Sequence, residues 1–410
     1  MKETPGKLWF AFLFWGVLLL GMGMVPESGS LALLPKSAYA KEVKPAPKAP
    51  AEKPRLIVLP FTPQTAGNGS GIGLAAHFFL GNITALHPDL EEFWFSWRMP
   101  KLFPTKKALQ DYCLGQGPPL DMVRLSREQK IRFWLSGRVE AGKEKIKVSL
   151  TLTDTEASAK VKTASFFLDT ADNLKSFCRA FLTFLGDGGL GLPAASLPLA
   201  CWPEKTTKEG LNALGQALMT YYLHTYEASN TPLDLASFRQ ALAVAPESYL
   251  ARDLLGWALY KNDDFKAAQE AFGSALQANP HGLGAMGGLM WCAVGLGQDQ
   301  EAYKWGKAQA GLRGEDPCLE MASVANRLGN AALKAGDLPA AKAYFRKAMA
   351  LNPAKVLYVT KLAEVLAKLG QDDQALAVLD QALARFTEKA EQKALAKARA
   401  EIIKKRPPKQ

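Results

Sequence analysis

Leu255-Gly256-Trp257-Ala258 and Leu328-Gly329-Asn330-Ala331 begin two stretches of the sequence that share the same internal spacing. After the glycine of each stretch, an alanine, a phenylalanine, a second alanine and a proline follow at offsets of 12, 16, 19 and 24 residues. These residues are Ala268, Phe272, Ala275 and Pro280 in the first stretch, and Ala341, Phe345, Ala348 and Pro353 in the second. Small residues let two helices approach closely, a large apolar residue fills the neighbouring unit, and proline ends the second helix. The spacing therefore predicts an array of helix pairs.

Further copies of the pattern lie on both sides of these two stretches. Phe238, Ala241 and Pro246 precede the first set by 34 residues, and Leu362-Ala363 is followed by Ala375, Leu379 and Ala382. A period of 34 residues with small residues at these positions resembles the tetratricopeptide repeat. The resemblance implies an all-α solenoid over residues 205–389, with units at 215–248, 249–282, 283–316, 322–355 and 356–389. Residues 390–410 are predicted to form a polar capping helix and a basic tail, because a solenoid needs a polar end to stay soluble.

The resemblance also implies a binding groove. In repeats of this kind the first helix of each unit lines the concave surface, and a few fixed positions of that helix point into it. In this sequence those positions are occupied by Trp257, Tyr260, Lys261, Trp291, Asn326, Asn330 and Lys334. Aromatic rings, amides and lysines suit an extended segment of a partner protein. The alternative is that Trp257 and Trp291 are core residues, since tryptophan is often mostly buried.

Residues 55–186 read as one small α/β domain. A short apolar run at 55–61 suits a buried strand, residues 92–97 are a second strand candidate, and residues 132–140, 145–153 and 160–168 predict three strands close together. A glycine-rich stretch, 67–73, joins the first strand to a helix. It lacks the G-x-G-x-x-G pattern and the G-K-[ST] pattern, so a strand-to-helix loop is favoured over a phosphate-binding loop.

Two short motifs of this domain carry a second resemblance. Leu56-Ile57-Val58-Leu59-Pro60-Phe61, together with Phe133-Trp134-Leu135-Ser136-Gly137-Arg138-Val139, resembles the TolB N-terminal-like domain, which is related to FlgO-type and CsgG-type envelope proteins. The predicted fold class is therefore α+β and multidomain: a small α/β sandwich domain with a mixed sheet, a Gly/Pro-rich linker at 187–204, and an all-α tetratricopeptide repeat solenoid. The resemblance implies that the TolB N-terminal-like part is a non-catalytic element of an envelope assembly or of a signalling protein.

The N-terminus has the three parts of a secretory signal. Lys2 and Lys7 precede an apolar run at 8–25, and Ser37-Ala38-Tyr39-Ala40 places small residues before a cleavage point after Ala40. The run is also long enough for a spanning helix, so residues 1–40 are either a signal peptide or an N-terminal membrane anchor. A Pro/Ala/Lys-rich linker follows at 41–54. Both interpretations predict export, so that the protein is periplasmic or secreted, or is anchored in the inner membrane.

The net charge of +11 is concentrated in the two tails. Residues 1–55 carry +4 and residues 387–410 carry +5, which leaves +2 for the 331 residues between them. Nucleic-acid binding requires a basic folded surface, so nucleic acid is not predicted as a partner. Peripheral membrane association through the N-terminal segment or the basic tails stays open.

No catalytic or metal-binding motif is present in the sequence. His77, His87, His224 and His281 form no H-E-x-x-H motif, and the five cysteines form no C-x-x-C motif. Ordinary buried thiols are favoured for the cysteines, and Cys178 with Cys201, or Cys292 with Cys318, are the alternative as disulfide pairs. The sequence therefore predicts a non-enzymatic scaffold of the bacterial cell envelope, without metal or cofactor, that binds a protein partner. The alternative is an envelope sensor that binds a small ligand in the α/β domain and signals through the repeats.

Overall fold

The computed structural model describes residues 53–65, 69–91, 94–97, 99–143, 145–156, 160–186, 203–227, 231–313 and 320–405. The chain from Lys53 onward forms one compact unit. The predicted signal peptide or anchor at 1–40 lies outside the described residues, as do residues 41–52 and 187–202 of the two predicted linkers. No helix in the described part of the chain is both long and apolar enough to cross a bilayer.

A mixed sheet forms the N-terminal part of the compact unit, as the sequence predicts. Its strands are β1 Leu56–Val58, β2 Thr62–Pro63, β3 Phe133–Ala141, β4 Ile146–Asp154 and β5 Lys160–Leu168. The sheet runs in the order β1-β3-β4-β5, with β1 and β2 both parallel to β3 and the remaining pairs antiparallel. In β4, Ile146, Val148, Leu150 and Leu152 are buried, whereas Lys147 between them is exposed, so the strand has one apolar face.

Five helices belong to this sheet region. They are α1 Ser70–Ala85, α2 Met99–Leu102, α3 Lys106–Cys113, α4 Met122–Gln129 and α5 Lys175–Leu185. The prediction of a strand at 92–97 is wrong for its described part, because Phe95–Trp97 form a 3₁₀ turn. Phe95 is buried and packs against the rings of His77 and Tyr222, so this segment turns towards the repeats instead of joining the sheet.

The solenoid that the sequence predicts is present. Its helices are α6 Lys208–Tyr226, α7 Ala236–Val244, α8 Tyr249–Lys261, α9 Phe265–Ala278, α10 Leu283–Gly295, α11 Asp299–Leu312, α12 Glu320–Lys334, α13 Leu338–Leu351, α14 Val356–Lys368, α15 Asp372–Arg385 and α16 Lys389–Lys405. Helices α6, α8, α10, α12 and α14 are the first helices of the five units. Helix α16 packs on α14 and α15 through buried Leu395 and Ile402.

Contacts between glycine and phenylalanine hold the helix pairs together. A Cβ atom at Gly256 would lie 2.6 Å from the ring of Phe272, and one at Gly329 would lie 2.8 Å from the ring of Phe345. A Cβ atom at Gly288, in the next unit, would lie 2.2 Å from the Phe272 ring. The Phe272 ring therefore fills the space between two successive units, which only glycine leaves open on both sides.

The third unit packs its two helices with methionine side chains instead of a phenylalanine ring. It has Gly306 where the sequence pattern leads us to expect an aromatic residue. A Cβ atom at Gly306 would lie 2.6 Å from Sδ of Met321 and 3.2 Å from Sδ of Met290. Methionine is flexible and fills irregular gaps, so these two side chains take the place of the missing ring.

Candidate functional site

The sheet region packs against the first helices of the repeats. Helix α1 lies between the sheet and α6, and one hydrophobic core extends from Leu56 in β1 to Cys292 in α10. A Cβ atom at Gly71 of α1 would lie 2.5 Å from Oδ1 of Asn212 in α6, and one at Gly73 would lie 2.3 Å from the carbonyl oxygen of Phe61. These two glycines of the glycine-rich stretch therefore lie in a helix and permit close packing, rather than forming a flexible loop.

Arg313 joins the third unit to the end of α1. Its guanidinium is buried and donates hydrogen bonds to the carbonyl oxygens of Ala85 and Leu90, the latter at 2.9 Å. Carbonyl groups at the end of a helix lack partners within that helix, and a cation there also interacts favourably with the helix dipole. Arg313 therefore holds the segment after α1 against the inner side of the repeats.

A cavity of about 110 Å³ remains between the sheet region and the first three units. Its wall on the sheet side comes from β1, α1 and the segment 90–96, and its wall on the repeat side comes mainly from α6, α8 and α10. The aromatic residues that line it are Phe78, Trp94, Phe95, Tyr221, Tyr222, Trp257 and Trp291. The first helices of three units thus face the sheet region, and their inner surface is covered by the same chain.

A buried carboxyl group lies in the wall of this cavity. Asp253 of α8 is 1% exposed, and its Oδ1 has no hydrogen-bond partner among the described residues. Burial, together with the charge of Glu204, raises the pKa of Asp253 to about 8, although a hydrogen bond with Trp257 acts in the opposite direction. A carboxyl group in this position is neutral below about pH 8 and becomes charged when a cation approaches it.

The histidine and the tyrosines near the cavity stay neutral at physiological pH, and the other lining acid is paired with an arginine. Burial lowers the pKa of His77 to about 3, and its Nε2 lies 2.8 Å from the Tyr222 hydroxyl. Burial also raises the pKa of Tyr221 and of Tyr249, and the charge of Asp253 adds to both shifts. Glu91, at the edge of the cavity, is paired with Arg55, whose Nε lies 2.7 Å from the Glu91 carboxylate.

The structure divides the predicted groove residues into two sets. Trp257 and Trp291 are half-buried and line the cavity, and the ring of Tyr260 lies 5.7 Å from that of Trp257. Burial raises the pKa of Tyr260 to about 12 and lowers the pKa of Lys261, which lies next to it on α8. Two members of this first set, Trp257 and Trp291, therefore face the sheet region across the cavity, and Tyr260 packs beside Trp257.

The second set lies on α12. Asn326, Asn330 and Lys334 follow one another at intervals of four residues, which places them on one face of the helix. The two asparagines are half-buried and Lys334 is exposed. Oδ1 of Asn326 is buried without a hydrogen-bond partner in the described ranges. None of the three residues lines the cavity.

The sequence prediction missed two residues that line the cavity, Asp253 and Trp94, and it missed Arg313, which bonds to the backbone of two other lining residues. One signal was present, because Asp253 stands in a run of apolar residues four positions before Trp257, on the same helix face. Nothing in the sequence pattern brings Trp94 or Arg313 to the same place. Across the residues that the structure describes, no group of three or more His, Cys, Asp or Glu side chains could hold a metal ion.

Comparisons with known proteins identify the helical part of the chain. Residues 254–317 and 332–400 match family models of the tetratricopeptide repeat. No curated protein matches the sequence. Proteins that contain this repeat act as protein-interaction scaffolds.

Several solved structures resemble parts of the chain. A MamA protein is 14% identical and covers 45% of this chain and 94% of its own, with a TM-score of 0.33. PilW, a type IV pilus biogenesis factor, is 21% identical and covers 46% and 82%, with a TM-score of 0.29. YrrB, a repeat protein with an unusual peptide-binding site, is 18% identical and covers 41% and 88%, with a TM-score of 0.30. The two family matches, together with the helix pairs described above, show that residues 254–317 and 332–400 of the solenoid are tetratricopeptide repeats.

Proposed function

We propose that this protein is an exported, non-enzymatic scaffold of the bacterial cell envelope, and that it holds an extended segment of a partner protein along the first helices of its later repeats. The observation that carries the proposal is the polar row Asn326, Asn330 and Lys334 on α12. Side-chain amides can bond to the backbone of an extended peptide, and both asparagines are half-buried, so each keeps part of its side chain at the surface.

The sheet region limits where such a segment can bind. It covers the inner surface of α6, α8 and α10, so Trp257 and Trp291 face the cavity of the chain itself. Helices α12 and α14 lie beyond the cavity. We therefore place the partner segment at α12 and α14, and we assign Trp257, Tyr260, Lys261 and Trp291 to the junction with the sheet region.

Three observations support export. The N-terminal sequence has the order of a secretory signal, and the two motifs that resemble TolB N-terminal-like domains include β1 and begin β3. Cys178 is disulfide-bonded, and disulfides persist in oxidising compartments such as the periplasm. N-terminal sequencing of the mature protein should begin at Lys41. A full-length product in the membrane would instead indicate the anchor, and a full-length product in the cytoplasm would contradict export.

The groove is tested with a triple variant and a matched control. N326A/N330A/K334A removes two amides and one lysine from α12, and Q277A/Q300A/K307A removes the same three groups from exposed positions on α9 and α11. Tagged protein is used to capture partners from envelope extracts of the native host. We expect the first variant to lose the partner and the second to keep it, with both stabilities within about 1 kcal/mol of the wild type, as is usual for surface changes. Equal recovery by the two stable variants would contradict a groove at α12.

A further inference from the structure

The cavity between the sheet region and the repeats is more than a packing defect. Its volume of about 110 Å³ is several times the roughly 10–15 Å³ that one water molecule needs. Gly81, Gly284 and Gly287 line it, so backbone rather than side chain forms parts of the wall. A Cβ atom at Gly284 would lie 2.7 Å from Oδ2 of Asp253, so a side chain there would displace the carboxyl group. The wall is therefore shaped around this carboxyl.

The chemistry of the lining favours positive charge. Asp253 brings a carboxyl oxygen without a hydrogen-bond partner in the described part of the chain, and the other lining carboxylate, Glu91, is paired with Arg55. No lysine or arginine is among the described lining residues. Three indole rings belong to the wall, and aromatic faces attract cations most strongly where water is excluded.

We propose that this cavity binds a small organic cation, whose ammonium group contacts the Asp253 carboxylate and the neighbouring indole rings of Trp257 and Trp291. The apolar part of the ligand then lies against the sheet side, where Leu56, Val58 and Trp94 form the wall. This site is separate from the groove on α12, and each can be tested without the other.

The ionisation of Asp253 makes binding depend on pH. In the empty cavity its carboxyl is protonated below about pH 8, because burial and the charge of Glu204 raise its pKa. A ligand with a permanent positive charge binds the ionised form. The affinity should therefore rise roughly tenfold for each pH unit up to about pH 8 and become constant above it.

The groups that face Asp253 from the neighbouring elements do not mask this dependence. His77 on α1, Tyr221 on α6 and Tyr249 on α8 stay neutral over this range, for the reasons given above. Glu91 is paired with Arg55. Among the described residues, Glu204 is the acid whose charge acts on the pKa of Asp253, and its buried carboxylate accepts a hydrogen bond from the Ser248 hydroxyl. The E204Q variant distinguishes the effects of the two acids. Loss of the Glu204 charge should lower the pKa of Asp253, so the affinity should become constant at a pH below 8 while binding persists.

The experiment uses choline and its uncharged isostere 3,3-dimethylbutan-1-ol. Binding to the full mature chain is measured by calorimetry and by tryptophan fluorescence from about pH 6 to about pH 9. We expect choline to bind at least about tenfold more tightly than the alcohol at the high end of this range. We expect D253N to remove this preference and W257F to weaken it. The control D263N changes an exposed aspartate that lies two residues after the end of α8 and is not part of the cavity wall, and it should leave both affinities unchanged.

Two results of the choline experiment would contradict the proposal or part of it. Choline that binds no better than the alcohol, or that does not bind at all, would overturn the proposal. A choline affinity that is independent of pH would overturn the role of Asp253. Because D253N could alter folding, its circular dichroism and melting are recorded, and the pH dependence of the wild type gives the same answer without a variant. Loss of partner capture by N326A/N330A/K334A with intact choline binding would separate failure of the groove from failure of the cavity.

Discussion

Gly215 of α6 lies so close to Gly71 of α1 that a Cβ atom at position 215 would be 1.8 Å from the Gly71 carbonyl oxygen. Both partners in this contact are backbone, so neither can move aside as a flexible side chain would. The contact fixes the sheet region on the first repeat, and the cavity exists because α1 is held there.

The G215A variant should therefore be strongly destabilised. The added methyl group has to push α1 and α6 apart, and overpacking of this kind typically costs about 1–3 kcal/mol or more. G81A is the matched control, because a Cβ atom at Gly81 of α1 meets nothing within 4 Å. Urea unfolding should show a lower midpoint for G215A and an equal or higher one for G81A. Equal midpoints for the two variants would contradict the close packing of α1 on α6.

The glycines within the repeats give a second prediction. G256A and G329A place a methyl group against the rings of Phe272 and Phe345, and each should cost about 1–3 kcal/mol. G273A on α9 has open space around its Cβ atom and should gain up to about 1 kcal/mol, because alanine is the better helix former. Thermal melting should show a lower melting temperature for G256A and G329A and an equal or higher one for G273A. A loss of stability in G273A equal to that in G256A would show that the repeat register is wrong.

Asp253 gives a stability that depends on pH. Its folded pKa of about 8 lies above its unfolded value of about 3.9, so between these pH values the native state holds a proton that the unfolded chain has released. Stability should fall by up to about 1.4 kcal/mol per pH unit as pH rises through this window, and should level off above about pH 8.

His77 changes the stability in the opposite direction, so that its contribution makes stability rise with pH. Its folded pKa of about 3 lies below the ordinary value of about 6.5, so its effect is confined to pH values below about 6.5. Chemical denaturation between about pH 6.5 and about pH 8 therefore isolates Asp253. In D253N, the free energy of unfolding should change less with pH in that interval. The stability of D253N relative to the wild type should therefore increase towards pH 8. An unchanged slope in D253N would assign the effect to another group.

Arg313 gives a prediction about the junction. R313A leaves the carbonyl groups of Ala85 and Leu90 without their buried donor, which should cost about 2–3 kcal/mol. R313K should recover only part of this loss, because one ammonium group lacks the fork geometry of guanidinium. R346A changes an exposed arginine of α13 and is the control. Limited proteolysis near residues 86–96 should be fastest in R313A, intermediate in R313K and unchanged in R346A; equal rates in all variants would contradict the anchoring role.

The repeats could be predicted from the sequence because their decisive contacts are local. Gly256 and Phe272 lie in one helix pair, and the same spacing returns at Gly329 and Phe345, so the period carries the packing information. The alternation in β4 is local in the same way. These patterns therefore indicate both the solenoid and the mixed sheet.

The cavity could not be predicted, because it depends on contacts between residues far apart in sequence. Gly71 with Gly215 and Arg313 with Leu90 leave no periodic pattern. The prediction that Tyr260 points into a groove used its position within a repeat, and that position does not reveal that its ring packs beside Trp257 and Phe265. Repeat position alone does not tell which units another part of the chain will cover.

The hydrogen bonds of Arg313 also change how the solenoid is expected to unfold. A repeat array is ordinarily a one-dimensional system in which each unit is stabilised only by its neighbours, so melting can begin at either end. Here Arg313 ties the third unit directly to the segment that follows α1, while α1 is itself fixed on the first unit. The first three units and the sheet therefore form a closed loop of contacts that must open together. We therefore expect the solenoid to fray first at its C-terminal end. Among the described helices, α14 and α15 are the ones that make extensive contacts with α16.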